Sequence, residues 1–226
     1  DAADLTPLPA ALYIVATPIG NLGDITLRAL DTLKRVARVA AEDTRVSGQL
    51  LAHFGIAKPL ASIREHNECE AADKVVAWIA AGEAVAYVTD AGTPAVSDPG
   101  ARLVARVRDA GCTIVPVPGA SAVVTALSAA GVNPGPWHFH GFLSPKAGAR
   151  EAELKTLAAL PAALVFYEAP HRIEETVAAL AAVLGPRQVT LARELTKRFE
   201  QIHTLPLVEA PAWIAADTNR TRGEFV

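Results

Sequence analysis

Ala84-Val85-Ala86-Tyr87-Val88-Thr89, followed by Asp90-Ala91-Gly92-Thr93-Pro94-Ala95-Val96-Ser97-Asp98-Pro99-Gly100, is the stretch on which the fold turns. The first six residues carry no charge and read as a buried strand. The next eleven are small or turn-forming, and Asp98-Pro99 supplies a cap and a first-turn proline for a helix from Gly100 to Ala110. A plain strand-to-helix connection needs fewer residues than Ala91-Gly92-Thr93-Pro94 adds. The excess marks this loop as a place where backbone meets a ligand.

The same strand, loop and helix grammar recurs on both sides. Leu12–Thr17 reads as a strand, and Ile25–Val36 as a helix with Leu27, Leu30 and Leu33 on one face. Arg38–Glu42 reads as a strand, then Thr44–Phe54 as a helix capped by Asp43 or Thr44. Lys58–Arg64 leads into a helix from about Glu68, where Ala72, Val75, Val76 and Ile79 form an apolar stripe. Thr113–Val117 completes the series. Alternating strands and helices of this kind predict an α/β layered domain.

Past the Gly/Pro-rich segment Gly131–Pro136 the pattern changes. Trp137–Phe142 and Ala163–Tyr167 read as strands around a helix over Arg150–Leu160, and Ile173, Val177, Leu180 and Leu184 stripe a second helix that stops at Gly185-Pro186. Gln188–Glu194 and Glu200–Leu207 read as a hairpin, with a short helix over Pro211–Ala216. Two α/β domains are therefore expected, 1–133 and 134–226, the second with a mixed sheet and a ligand cleft between them. Gly223-Glu224-Phe225-Val226 reads as the opening of a strand, so a continuation is expected.

Composition bounds the function. The 226 residues are 51% hydrophobic and carry 21 basic and 24 acidic side chains, a net charge of -3. That balance excludes a broad cationic coat for nucleic acid but leaves a local patch open. Asp1–Pro9 has no signal-like leader. Ala110–Pro145 lacks charge, yet its prolines and glycines divide it into pieces too short to cross a bilayer. Cys69 and Cys112 have neither a CxxC partner nor a metal-spaced His cluster, so no metal site is expected and a reducing, cytoplasmic setting fits.

Two further loops follow strands, Thr17-Pro18-Ile19-Gly20-Asn21-Leu22-Gly23-Asp24 and Pro116-Val117-Pro118-Gly119-Ala120-Ser121-Ala122. Neither has the GxGxxG spacing or a Walker lysine, so dinucleotide and triphosphate sites are disfavoured. Ser121 alone reads as a helix cap. Together with the 90–100 loop they would line one rim of the sheet with backbone groups and almost no charge, which suits a flat, partly apolar cofactor.

In order along the chain, Thr17–Arg28, Ala41-Glu42-Asp43-Thr44-Arg45, His66-Asn67-Glu68, Asp90–Pro94 with Ser97–Gly100, Pro118–Ser121, Tyr167–Arg172 and Ala192–Lys197 resemble the bacterial ribosomal RNA small-subunit methyltransferase I family. That family lies within the tetrapyrrole methylase group of S-adenosylmethionine (SAM) enzymes. The resemblance implies two α/β domains of the tetrapyrrole methylase type, a homodimer, and methyl transfer from SAM to the ribose 2'-oxygen of a cytidine in the decoding region of 16S rRNA. It implies cofactor contacts at Pro18, Asp90, Gly92, Thr93, Val96, Ser121, Ala122, Tyr167 and Ala192, and less directly at Gly223 or Glu224. The related precorrin and uroporphyrinogen methylases have Gly-Asp-Pro where this chain has Gly92-Thr93-Pro94, which weakens a tetrapyrrole substrate.

A ribose hydroxyl gains from a positioned base, and His66 is the candidate, with Asn67 as its hydrogen-bond partner. A helix-capping loop with His66 in solvent is the alternative. Arg45 reads as a phosphate contact or as part of a capped, ion-paired turn. Arg172 reads as a phosphate contact or as a partner of Glu168 or Glu175. Arg193, Lys197 and Arg198, joined by Lys146 and Arg150, are expected to form an RNA-facing patch, although such charges are commonly a solvated face. Trp137, His138, Phe139 and His140 are expected in strand and hinge core. Two rival functions remain at this level, a small-molecule methyltransferase that ignores ribosomal particles and a non-catalytic RNA-binding assembly factor.

Overall fold

The computed structural model of the chain describes residues 4–96, 100–132 and 134–226. Ser97, Asp98 and Pro99, expected to cap the helix from Gly100, lie outside these residues, as does Asn133 in the expected hinge. The chain divides into two compact units, Asp1–Ser121 and Ala122–Val226.

The first unit is built on five parallel strands, β1 (Ala11–Val15), β2 (Arg38–Ala41), β3 (Leu60–Ser62), β4 (Ala84–Val88) and β5 (Ile114–Val117), in the order β3-β2-β4-β1-β5. Strand alternation sends Ala11, Tyr13 and Val15 to one face and Leu12 to the other. The first face packs on α1 (Leu27–Arg35) and α2 (Thr44–His53) through Ala29, Leu33 and Leu51. The second packs on α3 (Glu68–Ala80) and α4 (Gly100–Asp109) through Ala72, Val75, Ile79, Leu103 and Val107. Both faces are covered, which is why these strands read as continuous apolar runs. Tyr87 is fully buried, and a Cβ on Gly100 would overlap its ring, so only glycine lets α4 begin there.

The helix stripes are largely as expected, with one correction. Leu27 is 87% exposed, and α1 buries Ala29, Thr32 and Leu33 instead. A repeated three-residue step drifts about 60° each time around a helix of 3.6 residues per turn, so Leu27 and Leu33 do not share a face.

The second unit begins at α5 (Ala122–Ala130), earlier than the 133/134 boundary expected from the Gly/Pro-rich segment. That segment ends α5 but does not divide the units, because α5 packs against β8 (Gln188–Arg193) and β9 (Gln201–Pro206). Thr190 Oγ1 also donates to the Ala130 carbonyl at 3.4 Å. The stripe on α7 (Ile173–Leu184) is buried at all four expected positions, Ile173, Val177, Leu180 and Leu184, against Leu154 of α6 (Ala147–Ala158) and Ile214 of α8 (Ala210–Ala215).

The expected mixed sheet is instead two ladders, β6 (Trp137–Phe142) parallel to β7 (Ala163–Tyr167), and β8 antiparallel to β9. Phe225 bridges them, pairing with Glu168 after β7 and with Arg193 of β8. Ala192 and Val226 exchange both backbone hydrogen bonds at 2.9 Å, so Gly223–Val226, read as the opening of a strand, pairs in strand fashion at Phe225 without forming a strand of its own. Between β7 and β8 lies a cavity of about 320 Å³, lined by Leu164, Phe166, Val177, Leu191 and Phe225 among others.

Candidate functional site

In a parallel sheet every strand delivers its carboxyl end to the same edge, and the order β4-β1-β5 makes the three ligand-type loops immediate neighbours. The loops are tied together by hydrogen bonds. Thr17 and Gly92 exchange both backbone bonds at 3.1 Å, joining the loops after β1 and β4. Thr93 Oγ1 donates to the Ala120 carbonyl at 2.9 Å, joining the loop after β4 to that after β5. A fourth connection follows β2, where Asp90 Oδ1 accepts the Asp43 backbone N–H at 3.2 Å.

Small residues make this closeness possible. Gly92 has φ +82°, and a Cβ there would sit 3.1 Å from Ile19 Cγ2. A Cβ on Gly119 would approach that of Ala16 to 2.9 Å. Ala95 takes the left-handed conformation with φ +64° although it is not glycine, a cost that a loop held from several sides can bear. Pro18 is buried and Thr93 half-buried, while Asp90 and Val96 are exposed at the rim. Ser121 is half-buried and stands just before α5, whose first residue is Ala122.

The rim therefore offers turn backbone, a threonine hydroxyl and one carboxylate, on a base of buried apolar side chains. Those groups fit SAM, whose ribose and amino-acid moieties need hydrogen-bonding partners and whose sulfonium is repelled by cationic walls. In the second unit Tyr167 is half-buried, in edge contact with Phe139 and Phe142 at 4.9 and 5.8 Å between ring centroids, and Ala192 is buried. Trp137 is 47% exposed, so the expectation of core at 137–140 is corrected at that residue, and Phe142 just beyond it is 51% exposed. A register shift between Phe139 and Gly141 puts Phe139 and Phe142 on the face of Tyr167.

His66 is exposed on a single 3-10 turn, Glu65–Asn67, after the edge strand β3. It stands on the same rim, two strand spacings from β4 and three from β1, about 10 and 14 Å of lateral distance. Asn67 does not serve His66. Its Oδ1 accepts the Arg64 N–H at 2.6 Å and its Nδ2 donates to the Ser62 carbonyl at 3.2 Å, a cap that holds the turn. Glu68, for which the local sequence suggests no role, is buried and accepts the Leu103 N–H of α4 at 2.9 Å, fixing the start of α4 against that of α3.

The proposed RNA contacts separate into two groups. Arg172 Nε donates to Glu168 Oε1 at 3.0 Å, and Glu168 also accepts from Thr176, so that guanidinium is held within the second unit. Arg193 donates to Gln201 and to the Arg222 carbonyl. Lys197 lies 3.3 and 3.2 Å from Glu194 and Glu224. Burial pulls its ammonium pKa down, but the two carboxylates outweigh that and leave it raised. Arg45, Lys146 and Arg198 are exposed. Asp43 caps α2 and lies 3.6 Å from the Arg45 guanidinium, and the Arg45 backbone N–H is the main cause of its lowered carboxyl pKa. Among the described residues no group of three or more His, Cys, Asp or Glu could hold a metal ion, and no helix is long and apolar enough to cross a membrane.

Residues 11–211 match the family described as Tetrapyrrole (Corrin/Porphyrin) Methylases. The chain is 50% identical over 216 residues to ribosomal RNA small subunit methyltransferase I of Pseudomonas aeruginosa, covering 95% of this chain and 77% of that one. With the protein of the same name from Bacillus subtilis the identity is 45% over 214 residues, covering 95% and 73%. Among solved structures, uroporphyrin-III-C-methyltransferase from Thermus thermophilus aligns with a TM-score of 0.60 at 23% identity, covering 91% of this chain and 89% of that one. A cobalt precorrin-4 methyltransferase aligns with a TM-score of 0.67 at 16% identity, covering 95% and 92%. These structural likenesses concern the fold.

Proposed function

The chain belongs to the tetrapyrrole (corrin/porphyrin) methylase family, and from that premise we propose that it methylates the ribose 2'-oxygen of a cytidine in the decoding region of 16S rRNA, using SAM. The observation that carries the reading is the tied, nearly uncharged rim of three adjacent loops in a chain half identical to ribosomal RNA methyltransferases. A small-molecule substrate is disfavoured by Thr93, which stands where the tetrapyrrole enzymes carry an aspartate and which is engaged here in joining two loops.

Bound SAM would supply a methyl group activated by its sulfonium, open to in-line attack by the ribose oxygen, with the thioether S-adenosylhomocysteine leaving and the hydroxyl proton passing to a base. The chain contributes position. Holding nucleophile and methyl in one geometry can lower the barrier by about 7–11 kcal/mol, so the ties between Thr17, Gly92, Thr93 and Ala120 bear directly on rate. Pro18, Val96, Ser121, Ala122, Tyr167 and Ala192 are proposed as further cofactor contacts. His66 is proposed to orient the ribose or accept its proton, a contribution on the order of 10²- to 10⁴-fold. Asn67 is proposed to act through the turn that presents His66.

A bacterial ribosomal substrate implies a cytoplasmic reaction, and a homodimer is proposed as the working form. The test is methyl transfer from labelled SAM to small ribosomal subunits, to naked 16S rRNA and to a uroporphyrinogen. Label in RNA, recovered as a 2'-O-methyl nucleoside, supports the reading. Label in the tetrapyrrole alone, or binding of particles without consumption of SAM, overturns it.

A further inference from the structure

The connection between β8 and β9, residues 194–200, is built more stiffly than a hairpin requires. Glu194 and Thr196 both take left-handed backbone, φ +54° and +71°, without being glycine, and with Ala95 they are the three such residues among those described. A tight hairpin puts glycine or asparagine at such positions. Here the strain is held by a network. Glu194 N donates to the Glu224 carbonyl at 2.9 Å, and Glu224 N donates to Glu194 Oε1 at 2.6 Å. Lys197 joins both carboxylates, and Thr196 N donates to Glu200 Oε2 at 2.6 Å. Gly223 lies so close that any Cβ on it would overlap the Glu194 carboxylate. Leu195 is buried beneath the turn.

What this platform displays is Arg198 and Phe199. Phe199 is 69% exposed, and the Arg198 guanidinium lies 5.5 Å from its ring centroid. A strained, cross-braced turn that ends in an exposed aromatic ring with a guanidinium beside it suits a ligand that brings both a π face and a negative charge. We propose that Arg198 and Phe199 form a contact for single-stranded RNA, an unpaired base stacking on Phe199 while Arg198 meets the adjacent phosphate. The inference rests on the RNA-methyltransferase reading and adds to its basic residues an aromatic one, Phe199. A self-association surface is the weaker reading, because the exposed ring carries the Arg198 guanidinium beside it, a charge that an apolar interface would have to desolvate.

The test uses the full chain with an oligocytidylate and with small ribosomal subunits. Phe199→Leu keeps apolar bulk but loses the aromatic face, and it is expected to weaken oligocytidylate binding roughly 5- to 140-fold while SAM binding, read by calorimetry, is unchanged. Phe199→Trp is expected to restore binding. Arg198→Gln is expected to reduce the slope of log K against log salt by about 0.7. Equal RNA affinity of parent and Phe199→Leu, or a change in sedimentation in place of a change in RNA affinity, overturns the proposal. If the parent itself binds neither RNA, the ribosomal reading fails with it. If the parent methylates subunits and Phe199→Leu does so equally, only this proposal falls.

Discussion

Gly92→Ala tests whether the rim works as a tied unit, and Gly55→Ala provides its control. Both glycines have positive φ, +82° and +68°, so alanine at either carries the left-handed penalty of about 1–2 kcal/mol. Around Gly55 nothing lies within 4 Å of an added Cβ, whereas at Gly92 that atom would sit 3.1 Å from Ile19 Cγ2 and 3.6 Å from the Ala120 carbonyl. Relief at Gly92 must move the backbone that exchanges hydrogen bonds with Thr17, and with it Thr93 and its bond to Ala120. Gly55→Ala should therefore lower stability alone. Gly92→Ala should lower stability by about 1 kcal/mol more, as the Thr17–Gly92 bonds weaken, and should slow single-turnover methylation on the order of tenfold or more through misplacement. Thermal unfolding and single-turnover assays at saturating SAM measure the two quantities. Identical behaviour of the two variants in both assays would refute the idea that the three loops act together.

His66→Ala should reduce single-turnover methylation on the order of 10²-fold with SAM binding retained, and an unchanged rate removes His66 from the mechanism. Glu168→Ala takes the carboxylate from Arg172, Thr176 and the Ala169 N–H together, and should destabilise the chain by about 2–3 kcal/mol in urea titration. The Arg38 hydrogen bond holds the Glu83 carboxyl below its ordinary pKa, so the pair adds stability above the unfolded glutamate value and loses it as pH falls through the folded value. Arg38→Gln should accordingly flatten the acid limb of the stability profile. SAM affinity should be unaffected, since Arg38 opens β2 at the sheet edge opposite the rim.

The elements were legible because burial on both faces leaves unbroken apolar runs, and α7 could be read residue by residue from Ile173 to Leu184. The position of the rim was legible too, since Gly92 and Thr93 are excess residues in a connection that needs fewer. The partners of those residues were not. Nothing local in Thr17 announces a bridge to Gly92, and nothing in Glu68 announces the Leu103 N–H, because both depend on which strands and helices become neighbours. The same holds for charge. Arg172 and Lys197 look like phosphate ligands in the sequence, yet carboxylates at positions 168, 194 and 224 meet them in the fold. The expected boundary at 133/134 differs from the division at 121/122 because glycine and proline mark where a helix stops, and α5 stops well inside the second unit.

That sorting of the cations makes a quantitative demand on RNA binding. With a net charge of -3 the chain has no diffuse attraction to a polyanion, so affinity must rise from particular side chains. Of the seven cations read as RNA contacts, Arg150 is buried 3.6 Å from Glu175 and so drops out of the expected patch, Arg172, Arg193 and Lys197 are committed to internal partners, and Arg45, Lys146 and Arg198 face solvent. Three phosphate contacts per chain give a slope of log K against log monovalent salt of about −2 to −3, whereas the six other than buried Arg150 would give about −4 to −5. Titrating small ribosomal subunits at several salt concentrations, with the stoichiometry fixed by sedimentation, measures the slope per bound chain. The shallow slope follows if the ion pairs of the free chain survive binding. The steep one means that Glu168, Glu194 and Glu224 surrender their partners to the RNA, and the rigid account of the 194–200 turn would then be wrong.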